Sequence, residues 1–282
     1  MLDFRPIGYV IGLLVAALGV TMLAPLAADL IEGNGHWPVF MESAIITILT
    51  GGLIAGACAN GVSAKLTIRQ TFLLTTLVWL ILPLFGAIPF VIGATNASVT
   101  DAFFEAMSGL TTTGATVFSG LEALPAGIKL WRGTLQWLGG VGIIVVAMVF
   151  LPELRVGGMQ IFRTEGFETS GKILPRAGEI ASHISVIYVG LTAACALVYA
   201  AFGMQGFDAL VHAMTTVSTG GMANSDASFG LYGEAVHYAG SIFMILAALP
   251  FVRYVQLVGG TAKPLLQDTQ IHAFLAIIGV SV

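Results

Sequence analysis

Six apolar stretches, each long enough to cross a lipid bilayer, leave this chain few ways to fold. They run Ile7–Ala28, Val39–Ala59, Phe72–Gly93, Gly133–Leu151, Ile184–Met204 and Ala235–Val252. About 20 apolar residues of helix cross a hydrocarbon core of about 30 Å. Backbone polar groups in lipid must be satisfied internally, which leaves helices or closed barrels. Runs of this length and continuity read as helices, so the expected class is an all-α integral membrane protein, a polytopic helical bundle. A seventh apolar run starts near Ile271 and stops at Val282. Its residues would cover only about 18 Å, so it reads as the truncated start of a further span. The first run exceeds the roughly 7–15 residues of a signal-peptide core and is expected to be retained.

Composition removes the competing classes. Of 282 residues 57% are apolar and 9% charged, and mean hydropathy is +0.93; soluble domains carry about a quarter charged residues. Net charge is −4, with no basic tract, so nucleic acid is not an expected partner. Cys58 and Cys195 lie singly in apolar runs and read as packing residues. His36, His183, His237 and His272 are scattered without an HExxH pattern or paired carboxylates, so no transition-metal site is expected. A membrane protease would need that pattern or GxSxG, and neither occurs.

Charge also orients the chain. With the N-terminus cytoplasmic, Arg5, Lys65, Arg69, Arg155, Arg163, Lys172, Arg176, Arg253 and Lys263 fall inside, and only Lys129 and Arg132 outside, nine of eleven on one side. The outer segments collect Asp29, Glu32, Asp101, Glu122, Asp208, Asp226 and Glu234, an acidic face that concentrates cations. Trp37, Trp131 and Tyr232 are expected in the interfacial belt.

Two outer connections carry the most specific signal. One reads Asp101-Ala-Phe-Phe-Glu-Ala-Met-Ser-Gly-Leu-Thr-Thr-Thr-Gly114-Ala-Thr-Val, the other Asp208-Ala-Leu-Val-His-Ala-Met-Thr-Thr-Val-Ser-Thr-Gly-Gly221-Met-Ala-Asn. At an offset of 107 they are identical in six of seventeen columns, including Asp101/Asp208, Met107/Met214, Thr112/Thr219 and Gly114/Gly221. Ten residues before each Thr/Gly cluster make about 15 Å of helix, half a bilayer. A half-helix followed by irregular backbone is tolerated at membrane depth only where protein buries it or it lines an aqueous cavity. That suggests two re-entrant pore loops in parallel span–pore-helix–filter–span repeats. Ordinary outer loops with amphipathic helices would also use Thr and Gly, but would not repeat in register. Carbonyls of an extended Thr/Gly strand can replace part of a cation's water shell. Asp101 and Asp208 stand at the pore-helix N-termini, where a carboxylate can cap free N–H groups.

Together with Trp131-Arg-Gly-Thr-Leu-Gln-Trp-Leu-Gly-Gly-Val-Gly-Ile143, Phe162-Arg-Thr-Glu-Gly166 and Val217-Ser-Thr-Gly-Gly221, the segment Ser108–Thr116 resembles the Trk/Ktr/HKT superfamily of potassium transporters, most closely its bacterial TrkH type. The resemblance covers essentially the whole chain. It implies a potassium-channel-like fold of four repeats around one pore, of which this chain would hold two. Residues 1–60 fit an extra N-terminal transmembrane hairpin, 70–152 a first pore repeat, 153–182 a cytoplasmic connector, 183–258 a second pore repeat, and 259–282 a linker with the start of a third. It implies potassium uptake across the bacterial inner membrane, with Thr111, Thr112, Thr113, Gly114, Ser218, Thr219, Gly220 and Gly221 as filter residues. Neither signature glycine is replaced by serine, which in the family favours potassium over sodium. A cation-coupled potassium symporter using the same site is the alternative. The implied partners are membrane lipid, a cytoplasmic nucleotide-binding regulatory subunit of TrkA-like type, and a second copy in a homodimer; no cofactor is implied beyond K+ as the transported ion, and no enzymatic activity.

Some residues keep two readings. Gly139, Gly140 and Gly142 suit close helix packing or a gating kink. Glu105 and His212, equivalent in the two half-helices, are functional candidates by their depth or hydrogen-bond partners of nearby loop backbone. The connector is a plain link or a docking surface for a soluble subunit.

Overall fold

The computed structural model describes residues 3–61, 66–154 and 173–281. The motif Phe162–Gly166, most of the expected connector and the cations Lys65, Arg155, Arg163 and Lys172 lie outside the described residues. Helices α1 (Arg5–Thr21) and α2 (Leu23–Glu32) make one long apolar span. Gly33, in the left-handed region at φ 70°, ends it, and α3 (Trp37–Cys58) returns with a proline in its first turn. The two antiparallel helices touch closely: a Cβ on Gly12 would lie 2.5 Å from the Ala55 nitrogen and 2.7 Å from the Gly51 carbonyl. Such contact suits a medium where helix association depends on van der Waals packing.

Thr67 and Gln70 form a reciprocal capping box that starts α4 (Ile68–Gly86), followed at once by α5 (Ile88–Ile92). Pro89 has no N–H, and Phe90 N–H turns to the Ala87 carbonyl. The Gly86 carbonyl left over accepts instead from Trp131 Nε1 at 2.8 Å. Trp131 is therefore fully buried, not in the interfacial belt as its type suggested. Next come the short helix α6 (Val99–Leu110), the helix α7 (Ala126–Leu154) and the helix α8 (Ile173–Ala201). A second short helix, α9 (Gly206–Val217), precedes α10 (Glu234–Ala248) and α11 (Phe251–Val258). Helices α12 (Lys263–Leu266) and α13 (Thr269–Ser281) close the described chain.

The expected sixth span is not one straight helix. Helices α10 and α11 meet at 87°. Pro250 forces this: Leu249 before it takes an extended conformation (ψ 151°), and the helical hydrogen bonds cannot continue through a residue without an N–H. Pro83, in contrast, stays inside α4. Four described segments are long and apolar enough to cross a membrane, five if the bent pair counts as one.

Three apolar clusters organise the described bundle, one of them Ile7, Ile11, Val15 and Leu74 between α1 and α4. Leu18, Met22, Phe40, Phe90, Ala106, Trp131 and Leu135 join the N-terminal hairpin to the first short helix and α7. Tyr188, Tyr199, Val217 and Phe251 do the same around α8 and the second short helix. Large apolar side chains such as Leu53, Val186, Leu197 and Ile242 face outward, while Glu105, Arg132, Gln136 and His212 are buried. Apolar outside and polar inside is the arrangement a lipid solvent selects. Helix α7 packs against both α6 and α9, so it stands between the two Thr/Gly clusters.

Candidate functional site

The two clusters adopt one backbone. Each follows a helix of 12 residues, about 18 Å long, that begins two residues before the expected start. Thr112 and Thr219 have φ 54° and 57°, and Gly114 and Gly221 φ 79° and 76°. A β-branched residue with positive φ is uncommon, and here it occurs twice at matched positions. The hydrogen bonds match as well. Thr112 N–H reaches Gly109 O at 2.9 Å and Thr219 N–H reaches Thr216 O at 2.9 Å. Thr113 N–H reaches Ser108 O at 2.9 Å and Gly220 N–H reaches Thr215 O at 3.0 Å. The amides thus turn back to satisfy carbonyls at the helix ends. In a trans peptide the carbonyl points opposite to the following N–H, so the carbonyls of Thr111, Thr112, Ser218, Thr219 and Gly220 are directed away from their helices. Thr111 Oγ1 and Thr113 Oγ1 bond each other at 2.8 Å. Ser218 Oγ donates to Thr215 O at 3.0 Å.

The loops also meet. A Cβ on Gly114 would collide with the Gly220 carbonyl oxygen, and a Cβ on Gly220 would collide with the Gln136 side chain. Around Gly221 no neighbour among the described residues lies within 4 Å of such a Cβ. Gly139 and Gly140 of α7 pack against Leu110 and against Tyr188 and Ser218, with no room for a Cβ, whereas Gly142 faces open space. The first two glycines serve close packing at the base of the loops.

Behind the loops runs a buried polar network. Arg132 Nε donates to Glu105 Oε1 at 2.8 Å, and Glu105 also accepts from Thr116 Oγ1 at 2.8 Å and from Val117 N–H at 3.1 Å. Glu105 therefore holds the strand that follows Gly114, the loop-backbone reading of this residue. Arg132 Nη1 reaches the Ala223 carbonyl at 2.7 Å. Sequence reasoning counted Arg132 among the outer cations; it is 1% exposed and sits in the interior. His212, the counterpart of Glu105, bonds the Asp208 carbonyl through Nδ1 at 2.8 Å and stacks edge-on with Phe229 and Tyr232.

The aspartates at the half-helices do different work from capping. Ser98 is the cap of α6, its Oγ accepting from Asp101 N–H at 3.2 Å and donating to the Asp101 carboxylate at 2.7 Å. Asp208 lies in the first turn of α9 and accepts from Asn224 Nδ2 at 2.7 Å and Tyr232 Oη at 3.3 Å, tying the strand after Gly221 back to the helix.

Beyond the Thr/Gly clusters along the chain, two carboxylates clasp the two loop segments reciprocally. Asp226 accepts from the N–H groups of Gly120 at 2.7 Å and Leu121 at 3.1 Å. Glu122 accepts from Ser225 Oγ at 2.5 Å and from Asp226 N–H at 2.9 Å. The Ser225 hydroxyl first, then the backbone donors, hold the Glu122 carboxyl below its ordinary range. The Gly120 and Leu121 amides do the same for Asp226. Farther back, Asp29 and Glu32 accept from the first amides of α7, Gly127 at 2.6 Å and Ala126 at 3.0 Å. His36 Nδ1 lies 2.9 Å from Asp29, and its Nε2 accepts from Ala94 N–H at 3.1 Å.

Comparison with known proteins places the chain in a family. The family model TrkH, a cation transport protein, matches residues 36–272. The Trk system potassium uptake protein TrkI of Halomonas elongata is 42% identical over 98% of this chain and 56% of its own length. The Trk system potassium uptake protein TrkH of Escherichia coli is 37% identical over 98% of this chain and 58% of its own. The crystal structure of the potassium transporter TrkH from Vibrio parahaemolyticus superposes with a TM-score of 0.86 at 35% identity, covering 98% of this chain and 57% of that one. The chain thus spans somewhat more than half the length of these relatives. From a family match over most of its residues, and from the repeated loop geometry on an all-helical membrane scaffold, the chain belongs to the TrkH family of cation transport proteins, which are transporters and not enzymes.

Proposed function

We propose that this chain supplies two of the four filter loops of a potassium-uptake pore in a bacterial inner membrane. The observation that carries the reading is the matched backbone of Thr111–Gly114 and Ser218–Gly221, with equal φ values at Thr112/Thr219 and Gly114/Gly221. Outward-turned carbonyls on two touching loops are the half-ring that a dehydrating cation needs. The relatives described as potassium uptake proteins support potassium as the ion. In this reading residues 1–60 are a supporting hairpin, 70–152 and 183–258 two pore repeats, 153–182 a cytoplasmic connector, and 259–282 a cytoplasmic linker with the start of a third repeat. A cytoplasmic nucleotide-binding subunit and a second copy of the chain enter through the family resemblance alone. Two loops leave half the ring open, so the chain expressed by itself in a potassium-uptake-deficient strain is expected to give no uptake. Co-expression with the two repeats that complete the ring restores it. Strong uptake from the chain alone, with crosslinked dimers, would overturn the half-pore reading; no uptake in either case, with both parts in the membrane, would overturn potassium conduction.

The same reading places the N-terminus in the cytoplasm, supported by the Lys/Arg asymmetry. After Cys58 is replaced by serine, cysteine at Asn96 or Ala227 should react with an impermeant thiol reagent on intact cells. Cysteine at Thr261 should react only after lysis. The opposite pattern means an inverted topology.

A further inference from the structure

Arg132 and Gln136 stand one turn apart on α7, on the same face. Both reach across to the second repeat's filter loop, and they take consecutive residues of it. Gln136 Oε1 accepts from Met222 N–H at 3.0 Å, and Arg132 Nη1 donates to the Ala223 carbonyl at 2.7 Å. Met222 directly follows Gly221. Through Nε the same arginine holds Glu105, which carries Thr116 and Val117 just after Gly114. The amide orientation of Gln136 follows from its partner, since the reverse would set its NH2 against the Met222 N–H.

This contact explains a difference between the two clusters. Position 113 is threonine, but its counterpart 220 is glycine. A Cβ at 220 would enter the Gln136 side chain. The second glycine of the Gly220-Gly221 pair is the left-handed one; the first makes room for Gln136. Among the described residues His212, the counterpart of Glu105, bonds its own helix and an aromatic cluster instead of the strand after its cluster. Among the described residues Gln136 Nε2 and Arg132 Nη2 are buried with no hydrogen-bond partner, so each side chain keeps a donor beyond the bonds it already makes.

Resting on the proposed pore, we infer that Gln136 and Arg132 are positioning residues that fix the second filter loop against the first, and thereby set ion preference without touching the ion. Two fixed points on adjacent residues define both the height and the rotation of the strand after Gly221. A carbonyl cage discriminates between cations only while its oxygens are held in place.

The test measures potassium uptake with sodium in competition, in the complete transporter carrying this chain, at matched membrane levels. Gln136→Met keeps the side-chain volume and loses the acceptor; Gln136→Glu keeps the acceptor. The methionine variant is expected to lose about fivefold to tenfold in preference for potassium over sodium, the scale of one hydrogen bond, and the glutamate variant to retain most of it. Arg132→Lys keeps the charge beside Glu105 but has no fork to reach Ala223 through a second nitrogen, and the same loss is expected; it carries the test should Gln136→Met not reach the membrane. Equal slowing for both ions with unchanged preference would reveal a merely structural role and overturn the inference. Wild-type protein without potassium preference would instead overturn the pore reading beneath it, a result visible before any variant is made.

Discussion

Replacing Gly114 with alanine should nearly abolish uptake, whereas Gly221→Ala should leave a working but less selective pore. Both glycines sit in the left-handed region, φ 79° and 76°, where an L side chain costs about 1–2 kcal/mol. That penalty alone is about fivefold to thirtyfold in an equilibrium, and among the described residues nothing adds to it at Gly221, where no neighbouring heavy atom lies within 4 Å of the new Cβ. At Gly114 the Cβ would coincide with the space of the Gly220 carbonyl oxygen. That oxygen is backbone, so one loop or the other must move, and it belongs to the proposed cage. Potassium uptake by Gly114→Ala should fall at least a hundredfold, while Gly221→Ala loses about tenfold in discrimination against sodium. Transport assays at matched expression check this; a Gly114→Ala variant that keeps its uptake would mean that the two loops do not touch in the working pore.

Glu105→Ala should be the most destabilising single change in the first repeat. Three partner atoms surround the carboxylate: Arg132 Nε, Thr116 Oγ1, within reach of both oxygens, and Val117 N–H. Removing it leaves a buried guanidinium with only Ala223 as a described partner. Breaking a buried ion pair from one side costs about 3–5 kcal/mol because the remaining charge is uncompensated. Glu105→Gln retains an acceptor for Arg132 and should lose markedly less. Melting of the detergent-solubilised protein, followed by the monodisperse fraction after heating, gives the order wild type, glutamine, alanine. An alanine variant as stable as wild type would show that the network is not formed.

Much of this was readable from residue order. The spans follow from apolar length, and the two loops from an internal repeat at an offset of 107 with a glycine at the end of each cluster. Pro250 was also visible, yet it was counted through because hydropathy does not register a missing N–H; Pro83 shows that a proline need not break a helix. Arg132 was hidden for another reason. By position it belongs to an outer segment, and only tertiary structure shows a carboxylate 27 residues earlier and a carbonyl 91 residues later within reach. Gln136 passed unnoticed inside a Trp/Gly-rich motif, although a polar side chain in a predicted span was a signal in itself. Ser98 displaced Asp101 as cap because both occur within one turn and only geometry decides between them.

The carboxylate clasp on α7 has a bearing on the order in which the protein is made. Asp29 is fully buried, and Gly127, whose amide it binds, lies 98 residues downstream. At about 5–20 residues per second, translation supplies that amide some 5–20 seconds after the aspartate. In the interval the hairpin carries an acidic group with only its own Asn34 and His36 for company. It then acts as a waiting receptacle, and the arrival of α7 both gives that group a further hydrogen-bond donor and delivers Arg132 and Gln136 to their depth. A segment that contributes no loop to the proposed pore thus sets the vertical position of the residues that hold one.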